Sequence, residues 1–176
     1  MEKREIRSVM RKLNGSLTVS ERLKASAAIF SAVERLPEFR TARTVALFSA
    51  LADEPATDEV LERWSATRRI VLPRVEGASM RFYPYRSETL AFGAFGILEP
   101  QGEEECPPER IDLIICPGVA FANDGRRLGR GKGYYDRYLS SPAFRAFRIG
   151  VCYAHQITDD VPVEEHDVRM DLVICP

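Results

Sequence analysis

Between Ile111 and Cys116 the chain reads Ile-Asp-Leu-Ile-Ile-Cys, apolar at every position but one. Such a run is short for a helix and too continuous for a strand with one wet face, so it predicts a strand buried on both sides. Thr44–Phe48, Arg69–Pro73, Arg148–Tyr153 and Met170–Cys175 predict further strands of the same kind. Met80–Tyr85 alternates instead and carries Pro84, which predicts a strand near a sheet edge. Between these segments the pattern takes a helical period. Glu2–Lys12 predicts a short basic helix. Thr18-Val19-Ser20-Glu21 is a capping box that opens a helix through Leu36, stopped by Pro37, with Leu23, Ala27, Phe30 and Val33 on its apolar face. Thr57–Trp64 and a segment from Tyr134 to Leu139 predict two more helices.

Continuous apolar strands alternating with helices predict an α/β fold, a three-layer sandwich with a mostly parallel central sheet and helices on both faces. The 176 residues fit one domain, 1–176, whose first 40 or so residues form a helical segment. In such sheets ligands bind beyond the carboxyl ends of the strands, which directs attention to the loops after Phe48, Pro73 and Cys116.

Charge narrows the partners. The formal net charge is −1, without the broad basic surface of a protein that tracks nucleic acid by counterion release. The N-terminus alternates charge and lacks an apolar core, and the longest apolar stretch, Leu113–Ala122, is short and broken by Pro117 and Gly118, so neither a signal peptide nor a membrane span is expected. Cys106, Cys116, Cys152 and Cys175 form no Cys-x-x-Cys pair, and Cys116 and Cys175 each end a run expected to be buried. They read as small apolar residues of a cytoplasmic protein, and no zinc spacing involves His155 or His166.

The chemistry concentrates in the loop after Cys116. Gly129, Gly131 and Gly133 alternate there, and Arg126, Arg127, Arg130 and Lys132 place four positive charges within seven residues. A strand, a glycine-rich basic loop and the start of a helix near Tyr134 together make a polyphosphate site. The loop is not a Walker motif, since no Ser or Thr follows Lys132, and it lacks the dinucleotide fingerprint. On glycines and charges alone a solvated basic loop fits equally well.

The run Gly125-Arg126-Arg127-Leu128-Gly129-Arg130-Gly131-Lys132-Gly133-Tyr134-Tyr135-Asp136-Arg137 resembles the signature of the 5-formyltetrahydrofolate cyclo-ligases. Lys3-x-x-Ile6-Arg7, Asp53-Glu54-x-x-Thr57, Leu72-Pro73-Arg74-Val75, Gly96-Ile97-Leu98-Glu99-Pro100, Gln156 and Val161-Pro162-x-x-x-His166-Asp167 resemble further family motifs in order, so the likeness runs over nearly the whole chain. Phe48 stands where the family often has tyrosine, and Cys175-Pro176 where it often has Thr-Glu.

The resemblance implies an enzyme that consumes ATP to close 5-formyltetrahydrofolate to 5,10-methenyltetrahydrofolate, releasing ADP and phosphate after phosphorylation of the formyl oxygen. It implies that Arg126, Arg127, Leu128, Gly129, Arg130, Gly131, Lys132, Gly133, Tyr134 and Tyr135 wrap the ATP phosphates, helped by Lys3 and Arg7. Arg130 and Lys132 would face the transferred group, Glu54, Arg130 and Tyr134 would contact the folate, and Asp136 and Asp167 would hold Mg2+. A monomer acting on ATP and 5-formyltetrahydrofolate, without nucleic acid or membrane, is expected. A sugar-phosphate enzyme or sensor, a nucleic-acid module using Tyr134 and Tyr135 as stacking surfaces, and a folate binder without turnover are the competing classes. The sugar-phosphate reading leaves Lys3 and Arg7 without a task, and the low net charge argues against the nucleic-acid module.

Overall fold

A computed structural model describes residues 1–176. Its helices are α1 (Lys3–Gly15), α2 (Val19–Glu34), α3 (Pro37–Thr41), α4 (Asp58–Ser65) and α5 (Tyr134–Leu139). Its strands are β1 (Thr44–Ala46), β2 (Arg69–Glu76), β3 (Ser79–Pro84), β4 (Ala91–Phe92), β5 (Leu98–Glu99), β6 (Leu113–Cys116), β7 (Ala120–Phe121), β8 (Arg127–Leu128), β9 (Phe147–Val151) and β10 (Leu172–Ile174). Six of them form one sheet in the order β10-β9-β6-β1-β2-β3; β4 pairs with β5 and β7 with β8. All neighbours in the large sheet run parallel except β2 and β3. The strand carrying Pro84 is thus the antiparallel edge strand, where a missing N–H costs least.

The period-two pleat explains why the apolar runs are unbroken. Val45, Leu47, Leu113, Ile115 and Ile149 point to one face and pack under α2, α3 and α4, with Phe30, Phe39 and Trp64 meeting edge-on or tilted. Ala46, Val71, Ile114 and Cys116 point to the other face and meet Tyr138, Leu139 and Phe144 at and beyond α5. Both faces are covered, which is the predicted three-layer sandwich. A third, smaller cluster seats α1: Ile6 and Met10, one turn apart, pack on Ala120, Ala122, Leu128 and Val161.

Three local expectations are corrected. Leu23 is 52% exposed and Ala27 is exposed, so they do not belong to the buried face of α2. That face runs instead through Ser26, Ile29, Phe30 and Val33, with Arg22 beside it. The rotation follows from polar anchors: Arg22 donates to the carbonyls of Glu54 (2.8 Å) and Leu51 (2.9 Å), and the Ser26 hydroxyl accepts from the Ala56 amide (2.8 Å). The basic helix continues past Lys12 to Gly15, because Asn14 repeats the Ile6–Met10 spacing and is also buried. Cys175 lies past the last strand and is exposed, whereas Cys106, Cys116 and Cys152 are buried. Burial pushes the Cys116 and Cys152 thiols up to about 12, so both stay protonated and behave as small apolar side chains.

The order of the sheet reverses beside β1: β2 and β3 lie on one side of it, while β6, β9 and β10 run outward on the other. A crevice opens above the carboxyl ends at such a switch point. Phe48 follows β1 there, and Pro117 and Gly118 follow β6.

Candidate active site

A cavity of about 600 Å3 occupies this crevice. One wall is the predicted glycine-rich loop: Arg127 to Asp136 line it without a break, and Lys3 and Arg7 of α1 close its end. The rest of the lining is largely apolar, with Phe48, Pro73, Met80, Phe95 and Ile97, and Glu54 and Glu99 are the carboxylates set among them.

The loop is shaped by commitments of its own residues. Gly133 has φ +73 immediately before α5, a left-handed turn that a side chain disfavours, and an added Cβ would lie 2.7 Å from the Arg137 guanidinium. Arg127 is buried, donates through Nε to the Pro117 carbonyl (2.8 Å) and lies over the Tyr135 ring at 4.9 Å, joining the loop to the end of β6. Arg7 donates through Nε to the Gly129 carbonyl (2.9 Å), which fastens α1 to the same loop. Lys132 is exposed, with its ammonium 5.7 Å from the Phe95 ring. Arg126 is the one predicted loop cation that does not reach the cavity. Its guanidinium turns outward to Asp124 at 2.9 Å and donates to the Val161 carbonyl (2.7 Å), bracing the loop from behind. Because α5 spans only six residues, its dipole is weak, and the side chains of the loop carry the positive charge.

Glu54 is 7% exposed. Its Oε1 accepts from Arg130 Nε (3.2 Å) and Nη2 (3.0 Å), and its Oε2 accepts from the Leu51 amide (2.9 Å). Burial raises its pKa above the ordinary carboxylate range, with the Arg130 charge and the Leu51 N–H pulling the other way. For Arg130 burial alone would lower the pKa, but its bonds to Asp53 and Glu54 outweigh it and the guanidinium is held more firmly charged. Tyr134 donates its hydroxyl to the Gly77 carbonyl (3.3 Å), so it spans from the loop to the β2–β3 turn while its ring faces Phe95 at 6.4 Å.

At the far rim, Lys3 binds Glu164 at 3.0 Å and Asp167 at 3.2 Å. Burial would lower the Lys3 pKa, yet hydrogen bonds to both carboxylates raise it overall. The ligand atoms of Glu164, His166 and Asp167 lie within 4.8 Å of one another. Asp136 stands close by, its Oδ1 accepting from the Val168 amide next to Asp167 (3.1 Å). The two carboxylates predicted to hold a metal are therefore brought to one wall of the cavity, and one oxygen of Asp136 is left without a backbone donor. Hard oxygen donors beside a phosphate-sized basic loop suit a hard divalent cation.

Glu164 and Phe95 line the site without having been singled out in the sequence; His166 lines it and Asp53 bonds Arg130 beside it, although the sequence placed both only within motifs and gave them no role. The acidic pair Asp53-Glu54 is a visible signal for Asp53; nothing local marks Phe95, which takes φ +61 on a two-strand flap. Met80 lines the cavity, while Phe82 on the same face of β3 and Tyr83 on the other are buried packing residues.

Known proteins carry the same arrangement of sequence. The model of the 5-formyltetrahydrofolate cyclo-ligase family matches residues 1–176. A curated mouse protein named 5-formyltetrahydrofolate cyclo-ligase is 29% identical, with 98% of this chain and 92% of the mouse chain aligned. One of the same name from Mycolicibacterium smegmatis is 35% identical over 76% of this chain and 74% of its own. Among solved structures, the Aquifex aeolicus 5,10-methenyltetrahydrofolate synthetase superposes with a TM-score of 0.88 at 34% identity, covering 98% of this chain and 89% of that one. The Mycoplasma pneumoniae enzyme superposes at 0.81 and 27% identity, covering 99% of each. With the signature loop, the acidic pair and the α1 cations all gathered round one cavity, and every residue within the family match, the chain belongs to the 5-formyltetrahydrofolate cyclo-ligase family.

Proposed function

We propose that the cavity performs the family's reaction, the ATP-dependent closure of 5-formyltetrahydrofolate to 5,10-methenyltetrahydrofolate with release of ADP and phosphate. The observation that carries this reading is the division of a single cavity into a basic glycine wall and an apolar wall bearing the buried Glu54. A nucleotide polyphosphate suits the first and a flat pterin suits the second. The two meet at Arg130, which belongs to the loop and is bonded to Glu54.

In this reading the formyl oxygen attacks the γ-phosphorus; the new O–P bond forms as the bond to the bridging oxygen of ADP breaks. The neighbouring N10 then adds to the activated formyl carbon, its proton leaves, and the C–O bond to phosphate breaks. Phosphoryl transfer of this kind needs positioning and charge neutralisation rather than a protein nucleophile. Arg130 and Lys132 supply charge at the transferred group. Lys3 and Arg7 close the polyphosphate end, and the apolar wall excludes water that would hydrolyse the intermediate. Glu54 binds the amino groups of the pterin edge, and Tyr134 covers the folate. Asp136 and Asp167 would hold magnesium, which would supply neutralisation of the phosphate oxygens when bound.

The test follows absorbance of methenyl-folate when purified protein meets 5-formyltetrahydrofolate, ATP and magnesium, with each omitted in turn. Product only with all three, abolished in a Lys132→Ala, Asp136→Asn chain that still folds, is the expected result. A folded protein that binds ATP but yields no product overturns the substrate assignment, and phosphate-bearing metabolites become the next ligands to examine.

A further inference from the structure

Arg130 has five N–H groups in a rigid fork. Three are taken by acids: Nε and one Nη2 hydrogen by Glu54 Oε1 at 3.2 and 3.0 Å, and the other Nη2 hydrogen by Asp53 Oδ1 at 2.6 Å. The hydrogen bonds of the protein leave both N–H groups of Nη1 free. A fork gripped along its Nε–Nη2 edge by two acids is turned so that Nη1 is the end left for an anion. Asp53 is itself held in place: its carbonyl accepts from Asn14 Nδ2 of α1 (3.1 Å), and the neighbouring Glu54 carbonyl accepts from Arg22 (2.8 Å) and the Tyr153 hydroxyl (2.9 Å). Glu54 alone would hold Arg130 through a single oxygen, about which the guanidinium can pivot; Asp53 is the second point that stops the pivot.

The geometry points to Asp53 as a positioning residue for the reaction proposed above: it orients Arg130 so that Nη1 presents its two N–H groups to the transferred phosphoryl group. This rests on the functional reading and goes beyond it, since Asp53 does not line the cavity and would act only through Arg130. A purely electrostatic role has the opposite sign. An acid beside an anion site repels phosphate, so neutralising it would strengthen ATP binding or leave it unchanged. Positioning instead predicts a loss on neutralisation.

The experiment measures kcat and KM for ATP in Asp53→Asn, Asp53→Glu, Arg130→Lys and the Asp53→Asn, Arg130→Lys double variant, with thermal unfolding as a check on folding. Asp53→Asn keeps the shape of the side chain, and is expected to lose roughly tenfold in kcat/KM, mostly in kcat. Asp53→Glu is expected to recover part of that loss. In the Arg130→Lys background no fork remains to be oriented, so Asp53→Asn is then expected to cost less than about twofold. An unchanged or raised kcat/KM in Asp53→Asn alone, or an equal loss when it is combined with Arg130→Lys, overturns the inference. If the unaltered protein shows no turnover, the functional reading fails by itself. The Arg130 Nε–H resonance, assigned by its disappearance in Arg130→Lys, then decides the geometry. A shifted or broadened signal in Asp53→Asn supports the positioning contact, and an unmoved one overturns it.

Discussion

At the scale of single residues, the loop depends on backbone that only certain side chains permit. Gly125, where the signature run begins, has φ +93, and a Cβ there would sit 2.2 Å from the Met170 carbonyl oxygen. That carbonyl belongs to the chain entering β10, and Met170 donates its own amide to the Gly125 carbonyl (2.8 Å), so neither segment can retreat without breaking a bond. Gly125→Ala should therefore lose about 2–4 kcal/mol, combining backbone strain with overpacking, read from chemical denaturation midpoints. Glu54 poses the reverse case. Its pKa is raised by burial, so its proton is held more tightly in the folded state than in the unfolded one. The carboxylate then costs stability as pH rises from its ordinary value of 4.5 through the raised one. Glu54→Gln should be more stable than the parent near pH 7, with the difference closing below about pH 4.5, while turnover falls. Lower stability of Glu54→Gln at neutral pH would mean that pairing with Arg130 outweighs burial.

At the scale of elements, α1 acts as a splint. Arg7 grips the glycine-rich loop at Gly129, and Asn14, two turns on, grips both the Asp53 carbonyl and the His155 ring. Those contacts explain what sequence patterns could and could not disclose about this helix. Its basic character and the Lys3–Arg7 spacing were legible, because they depend on neighbours within one turn. Its continuation to Gly15 was not, because Asn14 is a poor helix former whose value lies in partners 39 and 141 residues away. The same reason hides the true face of α2, where Arg22 and Ser26 outrank Leu23 only because the acidic loop lies above them. His155 gives the splint a pH dependence. Burial lowers its pKa from 6.5, so the unfolded state binds the proton more readily, and its stabilising contribution is lost as pH falls from about 6.5 through the lower folded value. Denaturation midpoints at about pH 7.5 and about 5.5 should show a larger acid loss in the parent than in His155→Gln, which cannot charge.

At the scale of the whole molecule, the strands and their sheet were legible because burial on both faces writes itself as unbroken apolar runs, as in β6. The two short hairpins, β4–β5 and β7–β8, were not, since two-residue strands leave no period to detect. Yet β7 and β8 form the seat of α1, and the β4–β5 flap brings Phe95 over the cavity. The site is thus assembled from one rigid sheet and three lighter pieces, namely α1, the flap and the glycine loop, which meet mainly across the cavity. The buried cluster that seats α1 and the loop is smaller than the two that cover the sheet, so these pieces should open at lower free energy than the sheet. On the proposed reading, a nucleotide that touches Lys3, Arg7 and the loop together should tie them to one another. At about a hundredfold excess over its Kd it should add about 2.7 kcal/mol to global stability. Hydrogen exchange should show that the amides of α1 slow on adding ATP and magnesium by more than those of β6 and β9. Equal slowing everywhere would mean that α1 already opens only with the whole protein, and slowing of the loop without α1 would mean that Lys3 and Arg7 do not reach the phosphates.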